Sequence, residues 1–386
     1  MQQKRSVVIA TLGVTQTISW ASSYYLTAVF AEPISADLGI PREWFFAIVS
    51  AALLAAGVMG PLAGRAIDRY GGRDILAATN IVFGAGLLTM MYTHSLTGLI
   101  VAWALIAIGM GFGLYEAAFA TVTGLYGQEA RNAITGITLI AGFASTVAWP
   151  TSRYLIDGGG WRQAVLFWAA LQFACALPLN RYVVPQPGKP HRSEVSEAAG
   201  ETSHVSGLMI VLAIVFGATW FISSALAAHL PRLLQALGAS ADGAVAAAAL
   251  VGPAQVGARL VEFGVLRRVS PVFSARLATA LHPVGAAVLA LFGPVASVPF
   301  VLLHGAGNGM LTIARGTLPL VLFGPEGYGL RTGILAAPAR ILQGAAPLAF
   351  GYVLDRGGPI AALAFSGGLM SLSCLALCLL RPRARA

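Results

Sequence analysis

Three arginines, Arg259, Arg315 and Arg340, lie inside long apolar runs, where charge needs a reason. A guanidinium is planar and permanently charged, and its fork of N–H donors matches a carboxylate in bidentate fashion. These residue types therefore point to the gripping of an anion. Gln255 precedes Arg259 by four residues and shares its helix face, Gln343 follows Arg340 by three, and Asn308 stands in the run that carries Arg315. One carboxylate lies comparably deep, Glu116 in GLYEAAF. It can serve as a proton carrier or as the counterion of an empty arginine site; a permanent ion pair and an outward orientation are the alternatives. Trp20, Tyr24 and Tyr115 are further candidates to shape a site, with Gln16, Tyr25, Trp149 and Trp220 around them. Single aromatics of this kind more often pack a core than touch a ligand. His282 and His304 read as isolated packing or pore-lining groups, with no second ligand at metal spacing. No metal site and no cofactor is expected.

The elements that must hold these groups follow from composition. The 386 residues are 57% hydrophobic and only 10% charged, whereas a soluble domain carries about 25% charged residues. The chain therefore spans a lipid bilayer many times. Lys4 and Arg5 lead into an apolar run too long for a signal-peptide core. Cys175, Cys374 and Cys378 show neither metal spacing nor a disulfide framework.

Twelve runs of membrane-spanning length are predicted, at 7–30, 44–63, 75–92, 97–125, 132–156, 161–183, 207–231, 243–266, 273–292, 295–323, 333–354 and 359–380. A Pro-, Ser-, Glu- and Gly-rich stretch divides them into six plus six. The expected organisation is an N-terminal bundle over 1–183, a cytoplasmic linker over 184–206 and a C-terminal bundle over 207–386. With the N-terminus inside, sixteen basic residues fall on the cytoplasmic side and five on the other, so both termini and the linker are placed in the cytoplasm. The net charge of +9 is then topology rather than a nucleic-acid patch.

The halves repeat. GMGFGLYEAAF at 109–119 aligns with GAGNGMLTIAR at 305–315, TGI at 135–137 with TGI at 332–334, Pro150 with Pro347, and SWASS stands beside TWFISS. Parallel repeats of six helices are a transporter architecture with a midplane site. In this register Arg259, Arg315 and Arg340 fall opposite Leu62, Phe119 and Phe143. Each arginine at mid-helix costs roughly 2.5–3.5 kcal/mol on an insertion scale. A one-sided set of charges suits an anion site gripped by one half and walled by the other. Snorkelling to the headgroups is the alternative, most plausible for Arg315.

GPLAGRAIDRYGGRDIL at 60–76 resembles the signature of the major facilitator superfamily, carried by Gly60, Gly64, Asp68, Arg69, Gly71 or Gly72, and Arg73. Gly160, Trp161 and Arg162 repeat a second habit of that family. The resemblance implies an all-α fold of twelve transmembrane helices in two pseudo-symmetric six-helix bundles. It also implies a conformational gate at Asp68, Arg69, Arg73, Gly60 and Gly64, with Glu262 a second gate candidate; the basic residues of the loop would equally be there for topology alone. The arginine that drug antiporters carry in the fourth helix is absent around Leu105, and their glycine–proline run is replaced by GFASTVAWP. The arginines of the eighth and eleventh runs look instead like the oxalate–formate antiporter and monocarboxylate-transporter branch, in which such residues grip the carboxylate. The expectation is a secondary transporter of small organic anions in the inner membrane, by proton symport or anion exchange, functional as a monomer. An exporter of a larger amphiphilic or drug-like substrate is the alternative. A membrane-embedded enzyme would need a catalytic constellation at one depth, and none is evident.

Overall fold

The computed structural model describes residues 4–186 and 201–379, without the side chains of 201–206 and Arg267. Most of the expected linker, with Lys189 and Arg192, and the basic tail of Arg381, Arg383 and Arg385 lie outside the described residues. Those that are described form helices and no strand. This is what a bilayer demands, because backbone groups in hydrocarbon must be satisfied within their own segment.

The helices are α1 (Arg5–Ala21), α2 (Thr27–Leu38), α3 (Arg42–Tyr70), α4 (Gly72–Tyr92), α5 (Leu96–Gly113), α6 (Tyr115–Tyr126), α7 (Ala130–Ala141), α8 (Ala144–Leu171), α9 (Glu201–Ala236), α10 (Ala241–Ala249), α11 (Val251–Gly264), α12 (Pro271–Phe292), α13 (Ser297–Phe323) and α14 (Tyr328–Leu379). Among the described residues seven helical stretches are long and apolar enough to cross a membrane, and Leu96–Val183, Pro271–Phe323 and Tyr328–Leu379 each hold more than one of the predicted runs. Large apolar side chains such as Val58, Leu291, Val295 and Leu348 are exposed, as lipid-facing positions must be. The protein is an all-α, multi-pass membrane protein.

The helices fall into two compact units. The first is Met1–His191 with Pro325–Ala337, and the second is Arg192–Gly324 with Pro338–Ala386. α14 thus contributes its first turns to the first unit and the rest to the second. The repeat shows in the backbone: α8 is kinked at Gly160 (φ +80°) and α14 at Gly358 (φ +76°), both in the left-handed region that only glycine enters freely. These kinks separate the fifth run from the sixth and the eleventh from the twelfth.

Four predicted runs are interrupted. The first breaks between α1 and α2, the fourth at Leu114 between α5 and α6, the fifth at Gly142 and Phe143 between α7 and α8, and the eighth at Leu250 between α10 and α11. Candidate residues stand near three of these breaks: Tyr24 and Tyr25 lie between α1 and α2, Tyr115 and Glu116 directly follow Leu114, and Gln255 and Arg259 follow Leu250. Broken helices are tolerated at membrane depth only where protein or a polar cavity takes up the freed backbone groups.

The core of the first unit is built of Ala, Leu, Ile, Val and Met around six buried aromatics, Phe30, Phe45, Phe83, Trp103, Trp161 and Trp168. A chain of buried amides lies in the same unit. Asn180 Nδ2 donates to Asn80 Oδ1 (2.8 Å), Asn80 Nδ2 to Gln172 Oε1 (2.7 Å), and Gln172 Nε2 to Ser22 Oγ (2.7 Å). Gln172 and Asn180 sit on two π-helical turns, Gln172–Ala176 and Leu179–Val183. Asn80→Ala is expected to strand a donor and an acceptor at about 1–3 kcal/mol each, and so to lower the melting temperature by about 3–6 °C. Gln172→Ala added to it should cost less than its separate effect, because the two share one network. Strict additivity in detergent would show that the amides are not coupled.

Candidate functional site

The second unit holds all three intramembrane arginines. Arg259 and Arg340 are only 6% and 5% exposed. Arg315 and Arg340 meet at one side chain, Trp220 of α9: their guanidinium carbons lie 4.7 Å and 5.1 Å from the indole centroid, within cation–π range. The ring face thus steadies two like charges that would otherwise repel, while the Trp220 Nε1 donor is buried with no hydrogen-bond partner among the described residues. Arg315 also donates to Thr312 Oγ1 (3.3 Å), and Asn308 Nδ2 to Ser223 Oγ of α9 (2.8 Å).

Arg259 stands with Gln255 on α11, its Nη2 3.5 Å from Gln255 Oε1, the outer limit of a hydrogen bond. Its Nε and Nη1 are buried and find no partner among the described residues. A buried guanidinium left this way is costly unless it has a ligand to meet. Close helix contact positions the pair: a Cβ at Gly309 of α13 would fall 2.4 Å from the Gln255 backbone oxygen. Glu262, one turn beyond Arg259, is buried as well.

In the first unit the aromatic candidates converge. Trp20 lies 5.7 Å from Tyr24, 6.0 Å from Tyr25 and 5.1 Å from Tyr115, and Tyr115 stacks on Phe119 at 5.3 Å. Trp149 closes the group 5.9 Å from Tyr25 and donates to the Tyr25 carbonyl. Glu116 occupies the first turn of α6, where the positive end of the helix dipole favours a carboxylate, and it acts electrostatically on the Tyr328 phenol. Gln16 is buried and donates to the Gly113 carbonyl (2.7 Å), so it ties α1 to the end of α5.

The signature loop separates into two groups. Asp68 Oδ1 accepts from the Gly329 amide and Oδ2 from the Leu330 amide, both at 2.9 Å, so its carboxylate caps the N-terminus of α14. Glycine makes this approach possible: a Cβ at Gly64 would lie 1.9 Å from the Gly329 oxygen, and one at Gly333 would lie 2.3 Å from the Gly60 oxygen. Arg73 is drawn elsewhere, to Asp74 (3.0 Å) and Gln186 (2.7 Å), and Arg69 lies over the Tyr70 ring at 5.2 Å. Arg162 ties three helix ends by donating to the Met91 and Thr93 carbonyls and to Asp37 (2.8 Å). That hydrogen bond holds the Asp37 carboxyl below the usual carboxylate range.

Two features escaped sequence reasoning. Trp220, noted there only as one aromatic among several, is the platform for two arginines. His282 and His304, read as isolated, meet with Nδ1 to Nδ1 at 3.1 Å. Histidines 22 residues apart on successive apolar runs give no local signal of pairing.

A model of the Major Facilitator Superfamily matches residues 12–318. Monocarboxylate transporter 1 of Rattus norvegicus is 26% identical over 164 residues, 41% of this chain and 32% of that protein. The 4-hydroxybenzoate transporter PcaK of Pseudomonas putida is 28% identical over 152 residues, 39% of this chain and 33% of that protein. These alignments thus span about a third of the length of the relatives. In fold, the chain is similar to the human organic anion transporter MFSD10 (TM-score 0.71, 15% identity, 97% of this chain and 100% of that one). It is likewise similar to the proton:xylose symporter XylE (TM-score 0.74, 14% identity, 96% and 95%).

Proposed function

We propose, for a chain that belongs to the Major Facilitator Superfamily, whose members are transporters rather than enzymes, that it carries small organic anions of the carboxylate class by alternating access. The observation that supports this most is Arg259, a buried guanidinium whose Nε and Nη1 have no partner among the described residues. Arg315 and Arg340 supply further positive charge around Trp220, whose unpartnered indole N–H is one more donor suited to an anion. Gln255 and Asn308 would orient the ligand. Monocarboxylates, 4-hydroxybenzoate and organic anions, the named substrates of three of the similar proteins, fall in the same chemical class, whereas the xylose of XylE is neutral. Trp20, Tyr24 and Tyr115 are assigned to contact with apolar parts of the substrate, and Glu116 to counterion or proton-carrying duty.

The membrane is taken to be a bacterial-type inner membrane with both termini cytoplasmic, the working unit a monomer, and the moving parts the bundles of 1–183 and 207–386. Anion entry into a negative-inside cell runs against about 2.3 kcal/mol per charge per 100 mV. Uptake therefore requires a co-transported proton or an exchanged anion. The Asp68 cap on α14 is assigned the gate, formed in one conformation and broken in the other.

The test is the melting temperature of the purified full chain in detergent with lactate, oxalate, citrate, 4-hydroxybenzoate and the cationic dye rhodamine 6G. A ligand at 100 times its Kd adds about 2.7 kcal/mol, enough to raise the transition by several degrees. The expected result is a shift with one or more carboxylates. A shift with the dye alone would replace the anion carrier with an exporter of larger amphiphiles.

A further inference from the structure

Away from the arginines, the second unit buries two imidazoles against each other. His282 of α12 is 2% exposed and His304 of α13 is 6% exposed, and their Nδ1 atoms lie 3.1 Å apart. At that separation one Nδ1 must carry a proton and the other must accept it. The donor ring then has a bare Nε2, and the acceptor ring keeps its proton on Nε2. His282 Nε2 is buried with no partner among the described residues. An orphan acceptor is tolerated better than an orphan N–H, which makes His282 the donor and leaves its Nε2 lone pair open to a further proton.

A cavity of about 10 Å³ adjoins the pair, lined by Thr219, His282, His304 and Asn308 among apolar neighbours. That is room for one water with several polar partners. Asn308 lies one turn beyond His304 on α13 and bonds Ser223, on the same helix as Trp220. A polar route therefore runs from the imidazoles toward the helix that carries the arginine platform.

Among the described residues no charged group lines this cavity. Of its other walls, α9 gives Thr219 and Ile222, α12 Ala278, α13 Gly307, Asn308 and Leu311, and α14 Met370. Titratable and charged groups on the packed helices are occupied otherwise: His229 with the Pro347 carbonyl, Arg276 with the Leu377 and Cys378 carbonyls, Cys374 with the Arg276 carbonyl, Arg259 beside Gln255, and Arg315 and Arg340 on Trp220. Glu262, beside Arg259 on α11, does not line the cavity either. Among titratable groups that line the cavity each imidazole thus meets only the other, with the Phe300 ring packed against both.

We propose that the His282–His304 pair is a proton-binding site that takes up one proton for each anion carried. The incoming proton bonds to the bare Nε2, giving an imidazolium whose Nδ1–H still donates to its partner, now as a charge-assisted bond. A second proton is disfavoured, because two imidazolium charges would then lie side by side. This rests on the carboxylate-transport reading and selects symport over exchange, with Glu116 left as a counterion.

The full chain would be reconstituted in liposomes with radiolabelled lactate and 4-hydroxybenzoate as probes. Uptake driven by an acid-outside gradient would be compared with counterflow between equal pH values. His282→Gln and His304→Gln are expected to lose gradient-driven accumulation at least tenfold while keeping counterflow within about threefold. Either variant accumulating like the unmodified protein would overturn the proposal. So would loss of both modes with an unchanged melting temperature, or counterflow without any gradient-driven uptake in the unmodified protein. If the unmodified protein moves neither probe, the carboxylate reading fails by itself. The imidazoles are then judged from 15N-histidine spectra recorded at about pH 5 and 8: joint uptake of one proton, absent in His304→Gln, supports the site, and unchanged pair resonances refute it.

Discussion

Arg259→Gln is expected to abolish the carboxylate-induced rise in melting temperature while leaving the ligand-free protein at least as stable as before. Both halves of that outcome come from one observation. The guanidinium is buried, its Nε and Nη1 have no partner among the described residues, and its Gln255 contact is long. Without a ligand such a charge is a desolvation cost of several kcal/mol, which a neutral side chain does not carry. With a carboxylate bound, the same group makes charge-assisted bonds. Truncating one partner of a buried charge pair costs about 2–5 kcal/mol, or roughly 30- to several-thousand-fold in affinity. Arg340→Gln should weaken binding too. It also gives up its cation–π contact with Trp220, worth about 0.5–2 kcal/mol, so its ligand-free form should melt lower. Melting curves of both variants with and without the carboxylate that shifts the unmodified protein decide the matter. A ligand shift that survives Arg259→Gln would remove Arg259 from the site, and a large fall in ligand-free stability would mean that its charge is compensated in place.

The membrane explains why so much of this was legible in the residues alone. A bilayer leaves helices as the only option for runs such as 44–63 or 273–292, and it makes a buried arginine expensive enough to need a purpose. The positions of Arg259, Arg315 and Arg340, and the signature around Asp68, could therefore be read directly. Pairings across helices were a different matter. α5 is apolar on every side, so no periodicity says which face meets α4. The amide chain from Asn180 through Asn80 and Gln172 to Ser22, the two arginines on Trp220 and the His282–His304 contact all depend on helix rotation and crossing. The break at Leu114 was hidden for a related reason: a run of sufficient hydropathy looks the same whether or not its helix is continuous. Yet the break gives Glu116 the first-turn position that accommodates its charge. Arg73 shows the limit of motif reading, since the signature groups it with Asp68 while the fold pairs it with Asp74 and Gln186.

Asp68→Asn is expected to reduce transport at least tenfold with little change in substrate affinity, and to expose the start of α14. Asp68 accepts two backbone N–H bonds, from Gly329 and Leu330, with a full charge at a helix N-terminus. Asparagine keeps one acceptor oxygen, turns a nitrogen toward the other amide and removes the charge. A hydrogen bond to a charged group contributes about 1.5–3 kcal/mol and the dipole interaction about 0.3–1 kcal/mol. The change should therefore destabilise the capped conformation by about 2–3 kcal/mol, shifting its population roughly 30- to 150-fold relative to conformations lacking the cap. A carrier that must visit every conformation in turn slows when one becomes rare, although its ligand contacts are intact. The direct measurement is backbone hydrogen exchange in Pro325–Ala337, which should speed up by one to two orders of magnitude in Asp68→Asn. Asp68→Glu should restore part of the protection if its longer side chain still reaches either amide, and Gly64→Ala should reproduce the defect by driving the backbones apart, since its Cβ would overlap the Gly329 oxygen. Fast exchange with normal transport would leave Asp68 a helix cap and nothing more. Unchanged exchange would mean that the cap does not hold the start of α14 in solution.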